Sequence, residues 1–296
     1  MLKRRRKVYL VGGIFMSGWS SFGIVVGLIV LLVMYLLAQN MWIQIKHFHV
    51  RLPYSDKGLR GKKIVQLSDT HIPRQGVSLL QLVKKVAAEK PDLIVLTGDL
   101  IDVRYDLPKE KLQNFTQSLV SIAPTYAVTG NHDFGSGRLQ EWEDVLTKAG
   151  VRVLIDEAEW IEFEQAGFVL MGLSEKEDFD LAPKPILRDV ILTEGMQRQP
   201  KVLLAHHPEF FEEYLMDLTR APDLILSGHA HGGQFRLPFI GGLFSPGQGK
   251  FPKYTDGVYY DPEIPGKRMI VSRGIGNSTF PFRFNNRPEV VVVILD

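Results

Sequence analysis

Five short stretches of the chain combine side chains that can bind a metal ion. They are residues 68–71 (SDTH), 98–99 (GD), 130–133 (GNHD), 205–208 (AHHP) and 228–231 (GHAH). Their carboxylate, amide and imidazole groups can bind manganese, iron or zinc, and these ligand types alone do not distinguish between the three metals. The chain has no cysteine, which excludes thiolate ligands and disulfide bonds. The pattern predicts a hydrolase that uses two metal ions.

Each of these stretches follows an apolar run that is typical of a buried strand. The predicted strands are residues 64–67, 93–96, 126–128, 202–204 and 224–226. The spacing of apolar residues predicts helices at 77–88, 109–122 and 138–149. This alternation favours a parallel sheet with right-handed crossovers. Because the carboxyl ends of such strands open into one crevice, the metal-binding groups are expected to converge there.

Other segments predict a second sheet that packs against the first. Residues 151–154, 160–163 and 168–172 have the composition of short strands and leave no room for helices between them. A helix is predicted at 209–218, further strands at 257–260, 269–272 and 289–295, and a short strand and turn at 48–59. Residues 232–252 are rich in glycine and proline, which indicates a long loop beside the site.

In their fixed order, the five stretches resemble the calcineurin-like metallophosphoesterases over residues 62–293. Residues 228–235 (GHAHGGQF) and 272–277 (SRGIGN) are similar to the membrane-anchored or exported bacterial phosphodiesterase branch of that family. The resemblance implies a four-layer αββα sandwich and two divalent metal ions, with manganese favoured in vitro. It also implies hydrolysis of phosphodiester or pyrophosphate bonds by water.

The resemblance further implies a role for individual side chains. One metal would be held by Asp69, His71 and His231, the other by Asn131, His206 and His229, and Asp99 would join the two. His132 would approach the scissile phosphate and protonate the leaving oxygen. Asp133 either orients that ring or caps the following helix. His207 is expected to lie behind His206 or to pack against Pro208, because successive side chains at a strand end alternate.

Two residues and one loop are candidates for contact with the substrate. Arg273 and Asn277 are predicted to bind substrate, since the arginine side chain suits phosphate oxygens. The alternative is that the arginines in this C-terminal part of the chain pair with carboxylates. The loop at 232–252 is unusually apolar. Its large apolar residues Phe235, Phe239, Ile240, Leu243 and Phe244 indicate either packing beneath the loop or a place for an acyl chain of a lipid-linked substrate.

The amino-terminal segment predicts one transmembrane helix. Residues 8–38 contain no charged side chain, and a span needs about 20 such residues. The basic residues 3–7 (KRRRK) favour a cytoplasmic amino terminus and an extracytoplasmic catalytic domain. A cleaved signal peptide is the alternative. We therefore expect residues 1–45 to form a basic tail and anchor, with Trp42, Ile43 and Ile45 at the membrane interface, and residues 46–296 to form the catalytic domain.

Charge and composition narrow the class of function. The formal net charge is +2, so removing the five charges of residues 3–7 leaves −3 on the rest of the chain. Nucleic-acid binders usually carry a clustered basic surface, which argues against DNA or RNA as substrate.

The prediction is a membrane-anchored phosphoesterase. The alternatives are a UDP-2,3-diacylglucosamine pyrophosphohydrolase of lipid A biosynthesis, whose substrate would be met on the cytoplasmic face, and a non-catalytic binding scaffold with this fold.

Overall fold

The computed structural model describes residues 18–53, 57–164, 166–278 and 280–296. Its helices are α1 (Gly18–Met41), α2 (Leu79–Glu89), α3 (Lys109–Val120), α4 (Asn131–Gly135), α5 (Leu139–Lys148), α6 (Glu194–Gln197) and α7 (Phe211–Tyr214). Its strands are β1 (Gln44–Val50), β2 (Lys63–Leu67), β3 (Leu93–Thr97), β4 (Thr125–Val128), β5 (Arg152–Val153), β6 (Glu157–Phe163), β7 (Ala166–Gly172), β8 (Lys201–Leu204), β9 (Leu224–Ser227), β10 (Arg236–Leu237), β11 (Gly241–Gly242), β12 (Phe244–Ser245), β13 (Gly249–Lys250), β14 (Gly257–Tyr260), β15 (Arg268–Val271) and β16 (Glu289–Leu295). The basic residues 3–7 and the first part of the charge-free segment lie outside the described residues.

The first sheet has six strands in the order β1-β16-β2-β3-β4-β5. Strands β2 to β5 run parallel to one another, which confirms the parallel arrangement expected from the alternation of strands and helices. Helices α2, α3 and α5 cover its outer face, where Leu82, Leu112 and Trp142 pack against Val65 and Leu96. The predicted bounds of these three helices agree with the structure to within a few residues at their ends.

The second sheet has the order β14-β15-β9-β8-β7-β6, with β15, β9, β8 and β7 parallel. Strand β7 shows why such strands are apolar throughout. Phe168 and Leu170 face the core between the two sheets, while Val169 and Met171 face the core on the other side of the second sheet. Both faces of the strand are therefore buried.

These layers give the predicted four-layer αββα order. The inner two layers are the sheets, whose facing side chains include Val95, Val293, Leu204 and Ile270. The fourth layer is less regular than expected, because the residues that cover the second sheet come mainly from 173–192 and the four-residue α7. The chain after α7 turns because Asp217 Oδ1 accepts a hydrogen bond from the Thr219 amide (2.9 Å). The predicted helix at 209–218 is therefore limited to a 3-10 turn at Pro208–Phe210 and α7.

Residues 151–154 were expected in the second sheet, and that prediction is wrong. Strand β5 pairs in parallel with β4, with Arg152 opposite Tyr126 and Val153 opposite Ala127. It therefore extends the first sheet. Only β6 and β7 of the three predicted short strands belong to the second sheet.

The junction between anchor and catalytic domain also differs from expectation. Ile43 and Ile45 were expected at the membrane interface, but β1 begins at Gln44 and pairs in parallel with the valine-rich β16. Ile43 is buried in the core, and Ile45 packs against it. Unlike them, Trp42 is exposed at the end of α1. The physical reason is that β16 would otherwise be an apolar edge strand, paired with β2 on one side only.

Helix α1 is long and apolar enough to cross a membrane from Ser21 to Met41. At 1.5 Å per residue these 21 residues extend about 31 Å, which matches the hydrocarbon thickness of a bilayer. Large apolar side chains such as Phe22 and Leu31 are exposed along it. By length and composition, one helix of the described chain is a candidate membrane span.

Candidate metal centre

The metal-binding groups lie at the carboxyl ends of strands from both sheets. In the first sheet, Asp69 follows β2, Asp99 follows β3 and Asn131 follows β4. In the second sheet, His206 follows β8 and His229 follows β9. The Asp69 carboxylate accepts hydrogen bonds from the His229 amide (3.0 and 3.1 Å), so the two sheets meet directly at the centre. The structure thus brings together residues that are up to 162 positions apart in the sequence, from Asp69 to His231.

One group of possible ligands consists of Asp69, His71 and His231. The ligand atoms of these three buried residues lie within 4.8 Å of one another. The Nε2 atoms of His71 and His231 are 3.2 Å apart, and His231 Nε2 is 3.4 Å from Asp69 Oδ1. Two atoms that share a cation at about 2.1 Å lie roughly 3 to 3.4 Å apart, so this spacing fits a common metal ion.

The second group consists of Asp99, His206 and His229, whose ligand atoms also lie within 4.8 Å of one another. His206 Nε2 is 3.2 Å from His229 Nδ1. His206 donates through Nδ1 to the Thr97 carbonyl oxygen (2.8 Å), which leaves Nε2 free to face a cation. The Oδ1 atom of Asn131, after the end of β4, is buried and has no hydrogen-bond partner among the described residues. A divalent cation is a partner that such a buried, unpaired amide oxygen suits.

Asp99 lies between the two groups. Its Oδ2 is 3.7 Å from His71 Nε2 on one side and 3.3 Å from His206 Nε2 on the other. Its Oδ1 accepts a hydrogen bond from the His132 amide (2.7 Å). A single carboxylate oxygen therefore faces both groups, while the other is held by the backbone.

The backbone at this centre is strained. Asp69, His71, Asp99, His229 and His231 all have φ between 46° and 63°, in the left-handed region. For residues other than glycine this conformation costs of order 1 kcal/mol or more, and it persists where the surrounding structure enforces it. The turns that follow β2, β3 and β9 thus direct side chains of adjacent residues toward one point.

Electrostatics also fit a cation at this position. Burial raises the pKa of the Asp69 carboxyl to about 6, against the opposing effect of His206. Burial also opposes ionisation of Asp99, but His206 outweighs it and holds the pKa of Asp99 well below its usual range. In return, Asp99 raises the pKa of His206 well above the ordinary value, despite the burial that opposes it. Without a metal ion, the protonated His206 ring neutralises this carboxylate, and a bound cation would replace that proton.

The other three imidazoles are ready to act as ligands. Burial lowers the pKa of His71 to about 4 and holds the pKa values of His229 and His231 well below the ordinary value. These rings are therefore neutral at pH 7, and each neutral ring has one nitrogen lone pair that can bind a cation. Together with the spacing and the orphaned Asn131 oxygen, this shows that the residues present fit two divalent cations.

His132 lies at the edge of the centre. Its ring makes an edge-on contact with His71, with ring centroids 4.5 Å apart, and its side chain is 21% exposed. The Val103 amide donates to its Nδ1 (3.2 Å), so the neutral ring carries its proton on Nε2. The geometry places a proton donor next to the candidate metal site and open to solvent.

The acid beside this ring is Asp102 rather than Asp133. Asp133 was expected to orient His132 or to cap a helix, and its carboxylate accepts from the amides of Gly130, Leu100 and Ile101 at 3.0 to 3.3 Å. Asp133 therefore caps a helix, but that helix is α4, of which it is the third residue, and not the predicted helix at 138–149. Asp102 Oδ1 lies 3.7 Å from His132 Nδ1.

Asp102 was missed by the sequence analysis. Its side chain is fully buried, and Arg104 donates to both of its oxygens (2.8 and 2.6 Å). Burial opposes ionisation, but Arg104 lowers the pKa of Asp102 below its ordinary value. The feature of the sequence that could have indicated this residue is its position three residues after Asp99, in the turn that follows β3.

The two predicted substrate contacts are engaged inside the protein. Arg273 donates through Nε and Nη2 to Asp256 Oδ2 (2.9 and 2.7 Å). Asn277 Oδ1 accepts from Arg283 Nε (3.2 Å), and its amide group donates to the Pro281 carbonyl oxygen (3.0 Å). Both side chains therefore have partners within the protein, and substrate binding by Arg273 and Asn277 stays a prediction. The alternative, that an arginine pairs with a carboxylate, describes Arg273.

A groove of about 750 Å³ adjoins the centre on the side of Asn131. Its lining includes His207, which was expected to lie behind His206. His207 Nε2 is 2.9 Å from Glu175 Oε2, and its Nδ1 is 3.0 Å from Glu209 Oε1. Burial opposes the charge on this ring, but the two carboxylates raise the pKa of His207 to about 9. This buried cluster supports His206 and His229 from behind, and only its histidine was noticed in the sequence.

Residues 62–233 match the calcineurin-like phosphoesterase family. The chain belongs to this family. It is 32% identical over 239 residues to Phosphodiesterase YaeI of Escherichia coli, which covers 79% of this chain and 82% of that protein. It is 30% identical over 262 residues to a protein of Danio rerio named Transmembrane protein with metallophosphoesterase domain, covering 83% of this chain and 55% of that one. It is 27% identical over 289 residues to UDP-2,3-diacylglucosamine pyrophosphatase LpxG of Chlamydia muridarum, covering 82% and 86%.

Family membership and the intact cluster of carboxylate and imidazole groups confirm the predicted class of protein. The chain is a metal-dependent hydrolase of phosphoric ester bonds. This outcome argues against the alternative of a non-catalytic scaffold. It also confirms the fold that the resemblance implied.

Proposed function

We propose that this protein is a membrane-anchored phosphodiesterase with a two-metal centre. Asp69, His71 and His231 would hold one ion, and Asn131, His206 and His229 would hold the other, with Asp99 between them. The observation that carries the proposal is the position of Asp99 Oδ2, which faces His71 Nε2 at 3.7 Å and His206 Nε2 at 3.3 Å. Manganese is the metal we expect to support activity in vitro.

Bound divalent ions polarise a phosphoryl group and lower the pKa of water, so that hydrolysis proceeds at neutral pH. The chain's own contribution to the reaction is clearest at His132. The Val103 amide fixes the proton of this ring on Nε2, and the ring edge is open to the cleft. His132 would donate that proton to the leaving oxygen of the ester, and the buried Asp102 carboxylate, 3.7 Å from Nδ1, would add its negative charge to the surroundings of the ring.

The proposed substrates are phosphodiesters or pyrophosphates. The name of the Escherichia coli relative supports the former, and that of the Chlamydia muridarum relative supports the latter. The apolar loop adds a reason to consider a lipid-linked substrate, since Phe239 and Ile240 are exposed rather than packed beneath it. A second candidate function is therefore the pyrophosphohydrolysis of UDP-2,3-diacylglucosamine.

We also propose that α1 anchors the protein in the membrane of a bacterial cell as a single span. The support is the length and exposure of this apolar helix together with the Danio rerio relative that is named a transmembrane protein. The basic residues 3–7 favour a catalytic domain outside the cytoplasm. That side of the membrane suits phosphodiesters of the cell envelope, whereas UDP-2,3-diacylglucosamine would require the opposite orientation.

The activity is tested with the full chain in detergent, stripped of metal and then supplied with manganese. Bis-p-nitrophenyl phosphate, p-nitrophenyl phosphate and UDP-2,3-diacylglucosamine would be compared as substrates at equal concentrations. We expect manganese-dependent hydrolysis of the diester well above that of the monoester. Preference for the nucleotide-linked lipid would establish the second candidate instead. No hydrolysis of any of the three by the manganese-loaded protein would contradict both.

The orientation is tested separately with a reporter fused to the carboxyl terminus, of a kind that is active only outside the cytoplasm. We expect an active reporter. A silent reporter in a membrane-bound fusion of full length would place the catalytic domain inside the cell. That result would remove the topological objection to the nucleotide-linked lipid.

A further inference from the structure

Five large apolar side chains are exposed in two neighbouring segments outside the metal centre. They are Leu237, Phe239, Ile240, Phe280 and Phe282, which we call the apolar edge. Phe239 is fully exposed and Ile240 is 58% exposed, so they do not pack beneath their loop. The Arg236 amide donates to the Phe284 carbonyl oxygen (3.0 Å), which holds the two segments side by side. A cluster of this kind on a soluble surface normally marks a contact with a partner or with lipid.

The last turns of α1 rest on one of these segments. Asn40 Oδ1 accepts from the Arg283 amide (3.0 Å), and Gln39 Oε1 accepts from the Asn286 amide (3.2 Å). The Tyr35 ring packs edge-on against Phe284, with ring centroids 5.7 Å apart. The apolar edge therefore lies beside the point where the candidate membrane span meets the catalytic domain.

Charged groups are kept away from this surface. The sequence has no charged residue at 237–249 or at 274–282. Arg283, at the end of the second segment, is fully buried, and Arg236 is turned to Asp256 (2.6 Å). Arg287 lies over the exposed Trp42 ring at 4.6 Å, a pairing that suits the boundary between lipid and water.

We propose that the apolar edge enters the interfacial layer of the lipid bilayer next to α1 and forms a second membrane contact. This inference rests on the proposed anchoring by α1. A lipid surface is the occupant that the structure favours, because the edge is continuous with a membrane span and lacks the charges that border most protein interfaces. The contact would hold the catalytic domain in one orientation on the membrane.

The edge is connected to the metal centre through Asn286. This buried side chain donates to the carbonyl oxygens of His231 (2.7 Å) and Gln234 (3.1 Å). His231 is a candidate ligand, and Gln234 lies in the loop that carries Phe239. The metal centre is thus joined by short contacts both to the end of α1 and to the apolar edge, which places it close to the membrane surface.

The test uses the full chain, which lacks cysteine and so accepts a single introduced label. Phe239→Cys and Ile240→Cys report on the apolar edge, Leu31→Cys on α1, and Leu218→Cys serves as an equally exposed apolar control. Leu218 lies near Lys201 at the start of β8, away from the strand ends that carry the metal ligands. Each variant would carry a nitroxide in vesicles of phosphatidylethanolamine and phosphatidylglycerol, with collision rates measured for oxygen and for a water-soluble nickel chelate.

We expect the labels at 239 and 240 to collide with the nickel chelate at least about threefold less often than the label at 218, and more often with oxygen, as in lipid. Labels at 239 and 240 that behave like the one at 218, while the label at 31 reports lipid, would overturn the second contact and leave the anchor intact. Reduced collisions with both reagents would indicate burial against another protein copy and would also overturn it. A label at 31 in water would remove the anchor itself. None of these readouts depends on phosphodiesterase activity.

Discussion

At the scale of single residues, the centre depends on side chains held in an unfavourable backbone conformation. Five of the candidate ligands have positive φ, although none of them is a glycine. Glycine supplies the space around them, since a Cβ at Gly98 would lie 2.6 Å from His206 Nδ1. The ligands are therefore preorganised by the fold before any metal ion binds.

Asp99→Asn should remove the residue that faces both metal positions. Asparagine keeps the shape but loses the negative charge that two cations would share, so we expect fewer than two metal ions per chain by elemental analysis. Asp189→Asn is a suitable control, because that carboxylate is 57% exposed and distant in sequence from the centre. Retention of two ions in the Asp99 variant would exclude Asp99 as the shared ligand.

His132→Ala should leave the metal content unchanged and reduce turnover of a diester by about a hundredfold or more, because the proton donor is lost. Asp102→Asn should cause a smaller loss of turnover at equal metal content, since this carboxylate acts on the ring only through its charge at 3.7 Å. Steady-state kinetics combined with elemental analysis separates these effects. Equal turnover in the His132 variant and the unaltered protein would show that another group protonates the leaving oxygen.

At the scale of secondary-structure elements, a buried ion cluster ties the strands behind the centre together. Asp256 contacts Lys46 of β1 (2.9 Å), Arg236 of β10 (2.6 Å) and Arg273 (2.7 Å), which follows β15. Glu289 of β16 lies 3.0 Å from the same lysine. Arg273 therefore contributes its charge to a cluster that joins elements of both sheets to the apolar loop.

Asp256→Asn should lower the thermal midpoint at neutral pH. Burial opposes ionisation of this carboxyl, but Arg273, Lys46 and Arg236 lower its pKa to about 2. The lowered pKa corresponds to about 2 kcal/mol of folding free energy, or roughly 4 to 8 °C in a domain of this size. Because the folded pKa is depressed, this stability is present above about pH 4 and is lost as the pH falls toward 2.

Thermal unfolding at several pH values measures this effect. The deficit of the Asp256 variant should be constant above about pH 5 and should shrink below about pH 4. The exposed Asp189→Asn again provides the control, with a change within about 0.5 kcal/mol. A variant of Asp256 that unfolds at the same temperature as the unaltered protein at pH 7 would show that the cluster does not stabilise the fold.

At the scale of the whole molecule, only Trp42 and Ile43 separate the candidate membrane span from the first sheet. Helix α1 ends at Met41, and β1 begins at Gln44 as a strand of the first sheet. Strand β16 lies between β1 and β2, so β1 protects one side of a run of buried valines. The position of α1 relative to the first sheet is consequently set by the start of β1.

A chain shortened to residues 42–296 should fold and bind metal in mild detergent, whereas residues 51–296 should aggregate. The longer form keeps β1, while the shorter one exposes β16 as an apolar edge strand and loses the buried Ile43 and Val50. Each of these side chains contributes about 1.5 to 3 kcal/mol by burial. Size-exclusion chromatography and elemental analysis of the two forms provide the measurement. A monodisperse, metal-bound 51–296 chain would show that β1 is dispensable.

The amino-acid sequence by itself determined the candidate metal-binding groups, the strands that end beside them, the apolar amino-terminal segment and the family. These features depend on the spacing of apolar residues and on the order of short motifs, and both can be read from the sequence without knowledge of distant contacts. The tertiary structure alone decided that Asp102 lies beside His132, that Arg273 pairs with Asp256, that β5 extends the first sheet and that β1 covers β16. Each of these contacts joins a side chain or strand to a surface formed elsewhere in the fold. No local pattern specifies which distant strand or charge will occupy that surface, because the free energy that selects it comes from burial and pairing in the assembled molecule.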